Sequence, residues 1–226
     1  MRNTSLLLLA CTVLSCGLPR DSDHTLDRIR HGTIRTGYIL HSPWVSDSTG
    51  EMRGVDVQLV NELARGLEAK VAWVRGTESE LMSALHGRQL DLVVGGLSGE
   101  SPWKHDVAFT RPYYTDSLFI SLPPGASEKS LKGTSVAYEA GSPAGVYLHK
   151  KGAVPVPVHD LQSTKGAVAA PIWKLESLGR PASEVLLHKS PCVMAVAPGE
   201  NAWLLGVERV LHDQETAIPA MLRDLQ

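Results

Sequence analysis

Apolar residues recur at three- and four-residue steps after Gly54, at Val55, Leu59, Val60, Leu63 and Leu67, and this spacing predicts a helix with one buried stripe. Asp56 sits near its start, where the helix dipole favours an acid. Residues 33–39 are β-prone and begin after Gly32, and a turn-rich stretch through Ser42, Pro43 and residues 46–50 follows them. Residues 71–74 read as the next strand. Residues 79–86 predict a shorter helix with Leu81, Met82 and Leu85 apolar and Gly87 at its end. Residues 90–97 are almost continuously apolar, the pattern of a strand covered on both faces. This β-α-β-α-β order predicts a mostly parallel sheet with right-handed crossovers.

A second, smaller α/β unit follows. After Phe109, Tyr113 and Tyr114, a strand is predicted over 117–122, ending at the Pro-Pro-Gly break of 123–125. Residues 134–138, a helix reaching Lys150, residues 154–158, a polar link over 160–165 and a helix around 173–178 continue the unit. Residues 192–197 read as a strand returning to the first unit. Residues 201–212 predict an amphipathic helix with Leu204, Leu205, Val207 and Leu211 apolar.

Composition narrows the class. The 226 residues carry 22 lysines and arginines against 24 acids, a net charge of −2 that excludes the clustered basic surface of a nucleic-acid binder. With 43% hydrophobic and 20% charged residues the chain is globular, and only one long apolar run is present. That run, residues 6–14 behind Arg2, is too short for a permanent span and has the form of a secretory signal. It ends Val-Leu-Ser-Cys at 13–16, followed by Gly17, which resembles a bacterial lipobox. Residues 1–15 are therefore expected to be removed, Cys16 to be acylated, and 16–26 to form a polar tether. Cys192 is then the one free thiol, so no internal disulfide is expected, and its apolar run over 192–196 marks it as a buried structural cysteine.

Five blocks, in order and register, carry a family resemblance. They are Gly-Thr-Ile-Arg-Thr-Gly at 32–37 with Ser42, Pro43, Trp44 and Gly54 to Val57; Leu81 to Gly87 with Asp91; and Val107 to Thr110 with Pro112 to Tyr114. Gly141–Ser142 and Ala197 to Asn201 complete the set. Together they resemble bacterial extracellular solute-binding protein family 3, the amino-acid-binding components of ABC importers. The resemblance implies the periplasmic binding protein type II-like fold, two α/β lobes joined by two crossover strands and closing on a ligand. The expected lobes are 27–117 plus 193–226 and 118–192, with crossovers near 117–122 and 189–195. The expected partners are a small-molecule ligand and an ABC permease, the membrane being met through the lipid anchor alone. The expected molecule is a monomer in the periplasm or at the cell surface, without cofactor or metal.

The family's ligand clamp does not carry over. The resemblance implies an arginine six residues before Phe109, to pair with a ligand carboxylate; Trp103 stands there, with Lys104 beside it. An acid at the end of the first strand is replaced by Tyr38 and Ile39. The second-lobe aspartate that holds a ligand ammonium is missing, because no aspartate lies between Asp160 and Asp213. In the Gly-Ser turn, Pro143 takes the place of a second hydroxyl, leaving Ser142 to contact ligand. Aromatic surface is gained instead: Tyr38, His41, Trp44, Trp103 and Trp173 fall where ligand-facing residues of the family lie, while Glu78 stands at a stacking position. Gly96 and Ser98 end a strand where small residues let a ligand approach the backbone. Rings with a carboxylate suit an organic cation, a sugar or an aromatic compound; the alternative is that individual rings are core and that Glu78 is an acidic helix start.

Catalytic patterns are absent. Nine histidines show neither a His-x-His nor a His-Glu-x-x-His spacing, and neither Gly-Ser segment has the nucleophile-elbow spacing. The reading is a binding protein. The alternatives are an enzyme on the same scaffold, similar to cyclohexadienyl dehydratases and resting on Glu78, Glu139 and Lys104, or a ligand-sensing accessory lipoprotein.

Overall fold

The computed structural model describes residues 20–47, 50–123, 125 and 131–225; the expected signal and Cys16 lie outside them. The helix foreseen after Gly54 is α2 (Val55–Gly66), which follows α1 (Thr25–Ile29) and β1 (Thr33–Tyr38). No side chain caps α2; its first free amides instead donate to the carbonyls of Pro43 (3.1 Å) and Trp44 (3.1 Å). Next come β2 (Lys70–Arg75), α3 (Glu78–His86) and β3 (Leu92–Ser98). α3 starts one residue earlier than its apolar pattern indicates, because Thr77 and Glu80 form a capping box. At its end the left-handed residue is Arg88 (φ 60°), while Gly87 has φ −75°.

After a 3-10 turn over Pro102–His105, the short β4 (Ala108–Phe109) leads to β5 (Tyr114–Ser121) and β6 (Ser135–Glu139). The second unit adds α4 (Ala144–Lys150), β7 (Val154–Val158), β8 (Ala167–Pro171) and α5 (Ile172–Ser177). The long β9 (Leu186–Val196) then returns to α6 (Asn201–Gln214) and α7 (Ile218–Asp224). One sheet runs in the order β2-β1-β3-β9-β5-β8-β6-β7, with β4 also on β9. β2, β1 and β3 are parallel, as are β7, β6 and β8; β5 and β9 are antiparallel in the middle. The fold is thus the two-lobe, type II binding-protein architecture. The expected boundaries at 117/118 and 192/193 fall inside the two strands that cross between lobes.

The inner strands of each half of the sheet are buried on both faces. Along β3 and β9, Leu92, Val94, Met194 and Val196 join the core beneath α2 and α6, whereas Val93, Val193 and Ala195 join the core beneath α3. In the second lobe Ala167 and Ala169 face α4, and Val168 and Ala170 face α5. Trp203 is fully buried, while Trp73 packs partly buried against the first core; neither lies in the cleft. Among the described residues no helix is long and apolar enough to cross a membrane.

The stretch expected to be tether through residue 26 is docked from Asp21 onward. Asp21 accepts from the amides of Leu26 (2.8 Å) and Trp203 (2.9 Å). Glu200, whose side chain is 1% exposed, accepts from Ser22 Oγ, from the amides of Asp23 and Thr25, and from Arg88. Burial alone raises its pKa, but those hydrogen bonds hold it at about 2 against an ordinary 4.5. A depressed acid adds stability that is present above 4.5 and lost as pH falls toward 2. Glu200→Gln is expected to cost about 2 kcal/mol at neutral pH, discounted for the water that reaches Arg88, and to flatten the acid limb of stability. Urea melts from pH 6 to pH 3 check this; an acid limb unchanged in the variant would contradict it.

Candidate functional site

β5 and β9 form the floor of a cavity of about 220 Å³ between the lobes. Their pairing sets Asp116 opposite Ser190 and Leu118 opposite His188. Side chains two apart share a face, so Asp116 and Leu118 join His188, Ser190 and Cys192 on the cavity side. The first lobe contributes the segment from His41 to Trp44, together with Gly96. The second contributes Glu139, the Gly141–Ser142–Pro143 turn, Tyr147 on α4, the end of β8 and Trp173 on α5.

Five expected site residues meet here: His41, Trp44, Gly96, Ser142 and Trp173. Trp44 is only 2% exposed and forms a wall against Tyr113 and Tyr114. The close approach that Gly96 permits is that of the Trp44 indole: a Cβ on Gly96 would lie 2.2 Å from its Cδ1. The other five lie elsewhere. Tyr38 is buried, edge-on to Trp73 at 6.0 Å. Glu78 opens α3 and accepts from Ser101 Oγ at 2.9 Å. Trp103 packs on the core beneath α3, and Lys104 is exposed beside it, both in the 3-10 turn. Ser98 sits one contact behind the cavity, its Oγ accepting from Ser190 Oγ (3.4 Å) and from the Glu100 amide (3.2 Å).

Asp116 places a carboxylate on the cavity floor. Its Oδ1 accepts from the Trp173 indole N–H at 3.2 Å. Burial raises its pKa above the ordinary 3.8, opposed by that bond, by the Ser117 amide and by His41 and His188. His41 Nδ1 lies 3.2 Å from the Gly95 carbonyl, which can only accept, so this nitrogen carries the proton. His188 stacks on Tyr147 with centroids 4.2 Å apart and planes at 12°, and the Lys150 ammonium lies 5.6 Å from the centre of the same tyrosine ring. Burial, then Asp116 and Asp56, push the Cys192 thiol far above its ordinary value, so it is a protonated wall atom and no nucleophile. Among the described residues no lysine or arginine lines the cavity. Among the described residues no three of histidine, cysteine, aspartate and glutamate are grouped to hold a metal ion.

Asp116, Tyr147, His188 and Ser190 were not foreseen as site residues. The sequence carries one usable signal: an acid within the mostly apolar alternation of β5, a strand paired on both sides. The backbone behind the site is set by Asp56, which is fully buried. Its Oδ2 accepts from the amides of Gly95 (2.8 Å) and Gly96 (2.9 Å), and its Oδ1 from Tyr113 Oη (2.6 Å). Gly95 and Gly96 adopt φ of 134° and 65° at a register shift between β3 and β9, a bulge closed to residues with side chains.

Residues 35–216 match the model of the bacterial extracellular solute-binding proteins, family 3. The lysine/arginine/ornithine-binding periplasmic protein of Escherichia coli is 28% identical over 129 residues, 55% of this chain and 48% of that protein. The L-arginine-binding protein of Pseudomonas aeruginosa is 28% identical over 102 residues, 43% and 39% of the two. The chain thus spans about half the length of the curated relatives it matches, or less. Among solved structures, an ancestral cationic amino acid solute binding protein superposes with a TM-score of 0.70 at 21% identity, covering 88% of this chain and 98% of that one. The L-cystine solute receptor of Neisseria gonorrhoeae, unliganded and open, gives 0.64 at 21% identity over 85% and 91%. Those likenesses are of fold, and the sequence match over 35–216 carries the assignment: this chain belongs to the bacterial extracellular solute-binding proteins, family 3.

Proposed function

We propose that the protein is an extracytoplasmic receptor, anchored through an acylated Cys16, whose lobes close on a small solute and pass it to an ABC permease. One observation carries the reading: the 220 Å³ cavity lies on the two strands that join the lobes and is lined from both sides. A ligand touching both lobes favours the closed arrangement by its extra contacts there, whereas one touching a single lobe equally in both states would shift nothing. The named relatives bind lysine, arginine and ornithine, or arginine. Here, among the described residues, no guanidinium lines the cavity to grip an amino acid's carboxylate, and Lys104 stands outside it. The ligand is therefore not an amino acid held by an arginine clamp.

The enzyme alternative, a dehydratase acting on cyclohexadienyl acids, draws support from an ancestral structure described as a precursor of cyclohexadienyl dehydratase. It needs cations for the substrate's carboxylates, and of its three expected residues only Glu139 lines the cavity. Binding is the better-supported reading.

Native mass spectrometry of the freshly purified mature protein should reveal a bound small molecule. Small-angle scattering should show the ligand-stripped protein contracting when that molecule is restored, with a change in tryptophan fluorescence from Trp44 and Trp173. Identical scattering with and without saturating ligand would end the receptor reading.

A further inference from the structure

Within this receptor reading, the cavity's hydrogen-bond directions narrow the ligand class. Three of its donors are already used inside the protein. The Trp173 indole N–H points at Asp116, the His41 Nδ1–H at the Gly95 carbonyl, and the Ser190 hydroxyl at Ser98, whose own oxygen also takes the Glu100 amide. What these groups present inward is acceptors. The Asp116 carboxylate retains lone pairs beyond those on Trp173 and Ser117, and Ser190 offers its oxygen. Glu139 adds a second acid at the mouth, and Tyr147 and Trp173 supply ring surface. A ligand carboxylate placed here would face two acids with no lysine or arginine among the described lining residues. An ammonium or amidinium would face a half-buried carboxylate and aromatic walls.

We infer that the cavity is built for the cationic head of a small amine lacking an α-carboxylate, its charge set against Asp116 and its hydrocarbon body against Tyr147 and Trp173. The volume limits the guest to one smaller than the ~300–1,000 Å³ of drug-sized sites. The Asp116–Trp173 hydrogen bond fixes the carboxylate before the ligand arrives, so less ordering is left to be done on binding.

Matched pairs test this directly: agmatine against arginine, cadaverine against lysine, phenethylamine against phenylalanine, tryptamine against tryptophan. Titration calorimetry on the mature wild-type protein should show at least one amine binding tenfold or more tightly than its parent amino acid. Asp116→Asn keeps the shape and should weaken that amine tenfold to a hundredfold, the range of a charge-assisted bond, with a melting temperature close to wild type. If the asparagine variant does not fold, the wild-type pairs decide alone. Amino acids binding more tightly than their amines, or an amino acid whose affinity vanishes in Lys104→Ala, would overturn this inference while leaving the receptor reading intact. Silence from every pair at millimolar concentration also overturns it, and the scattering experiment then judges the receptor reading separately.

Discussion

Replacing Asp56 by alanine is expected to destabilise the protein by about 4 kcal/mol, because three donors, those of Gly95 and Tyr113 buried and that of Gly96 partly so, lose this acceptor at once. The amides of Gly95 and Gly96 and the hydroxyl of Tyr113 all point at this carboxylate, and water does not reach it. Asp56→Asn should cost far less, about 1–2 kcal/mol. Its oxygen can keep both amides, while its NH2 donates to a Tyr113 hydroxyl turned to accept. The charge gives the contrast a pH signature. Burial raises the folded pKa of Asp56 above the ordinary 3.8. The folded state therefore holds its proton to higher pH than the unfolded chain does, and stability falls as pH rises from 3.8 toward the raised value. That slope should vanish in the asparagine variant. Equal costs for alanine and asparagine in urea melts, with the slope intact in both, would mean that the Gly95–Gly96 bulge does not depend on this side chain.

The same residue shows how far the sequence could be read. Asp56 was legible as an acid at a helix start, and the stripe from Val55 to Leu63 placed its helix correctly. Its true partners lie 39 and 57 positions away, on β3 and beside β5, and no local pattern announces them. Residues 154–158 were read with the bounds they have, since valine alternating with proline has no helical reading. β8 escapes the pattern for the opposite reason: Ala167 to Ala170 has one β-branched residue, Val168, among alanines and no polar alternation, and the cores on both its faces make it a strand. Docking of the segment from Asp21 was hidden because a polar run reads as solvated, and its acceptor, Glu200, is 178 residues from Ser22. The rings expected at the site divided in the same way. Trp173 reaches the cavity because α5 follows β8 directly, while the 3-10 turn carries Trp103 and Lys104 away from it. Asp116 escapes the reading because the family pattern implies an acid at the end of the first strand and another in the second lobe, and Asp116 stands on a strand between lobes.

Alanine at Gly54 or at Gly96 should be damaging for related but separable reasons, both of them set by Trp44. At Gly54 (φ 135°) a Cβ would lie 2.0 Å from the Trp44 carbonyl oxygen, in the segment whose carbonyls cap α2. At Gly96 (φ 65°) it would lie 2.2 Å from the indole Cδ1 and 2.5 Å from Cγ. Backbone strain of about 1–3 kcal/mol and overpacking of similar size put each substitution near 4 kcal/mol. The obstacles differ in kind, however, and that difference can be measured. Trp44→Leu removes the ring atoms that oppose a Gly96 methyl but leaves the carbonyl that opposes one at Gly54. In a double-mutant cycle the Gly96→Ala cost should therefore shrink by 1 kcal/mol or more in the leucine background, while the Gly54→Ala cost stays within about 0.5 kcal/mol of its value in the tryptophan protein. Equal relief at both glycines, or relief at neither, would show that the indole is not what holds the Gly96 backbone against the cavity wall. In that case Trp44 would be a core residue that only borders the site, and the wall it forms there would have to be credited to the backbone of residues 41–43.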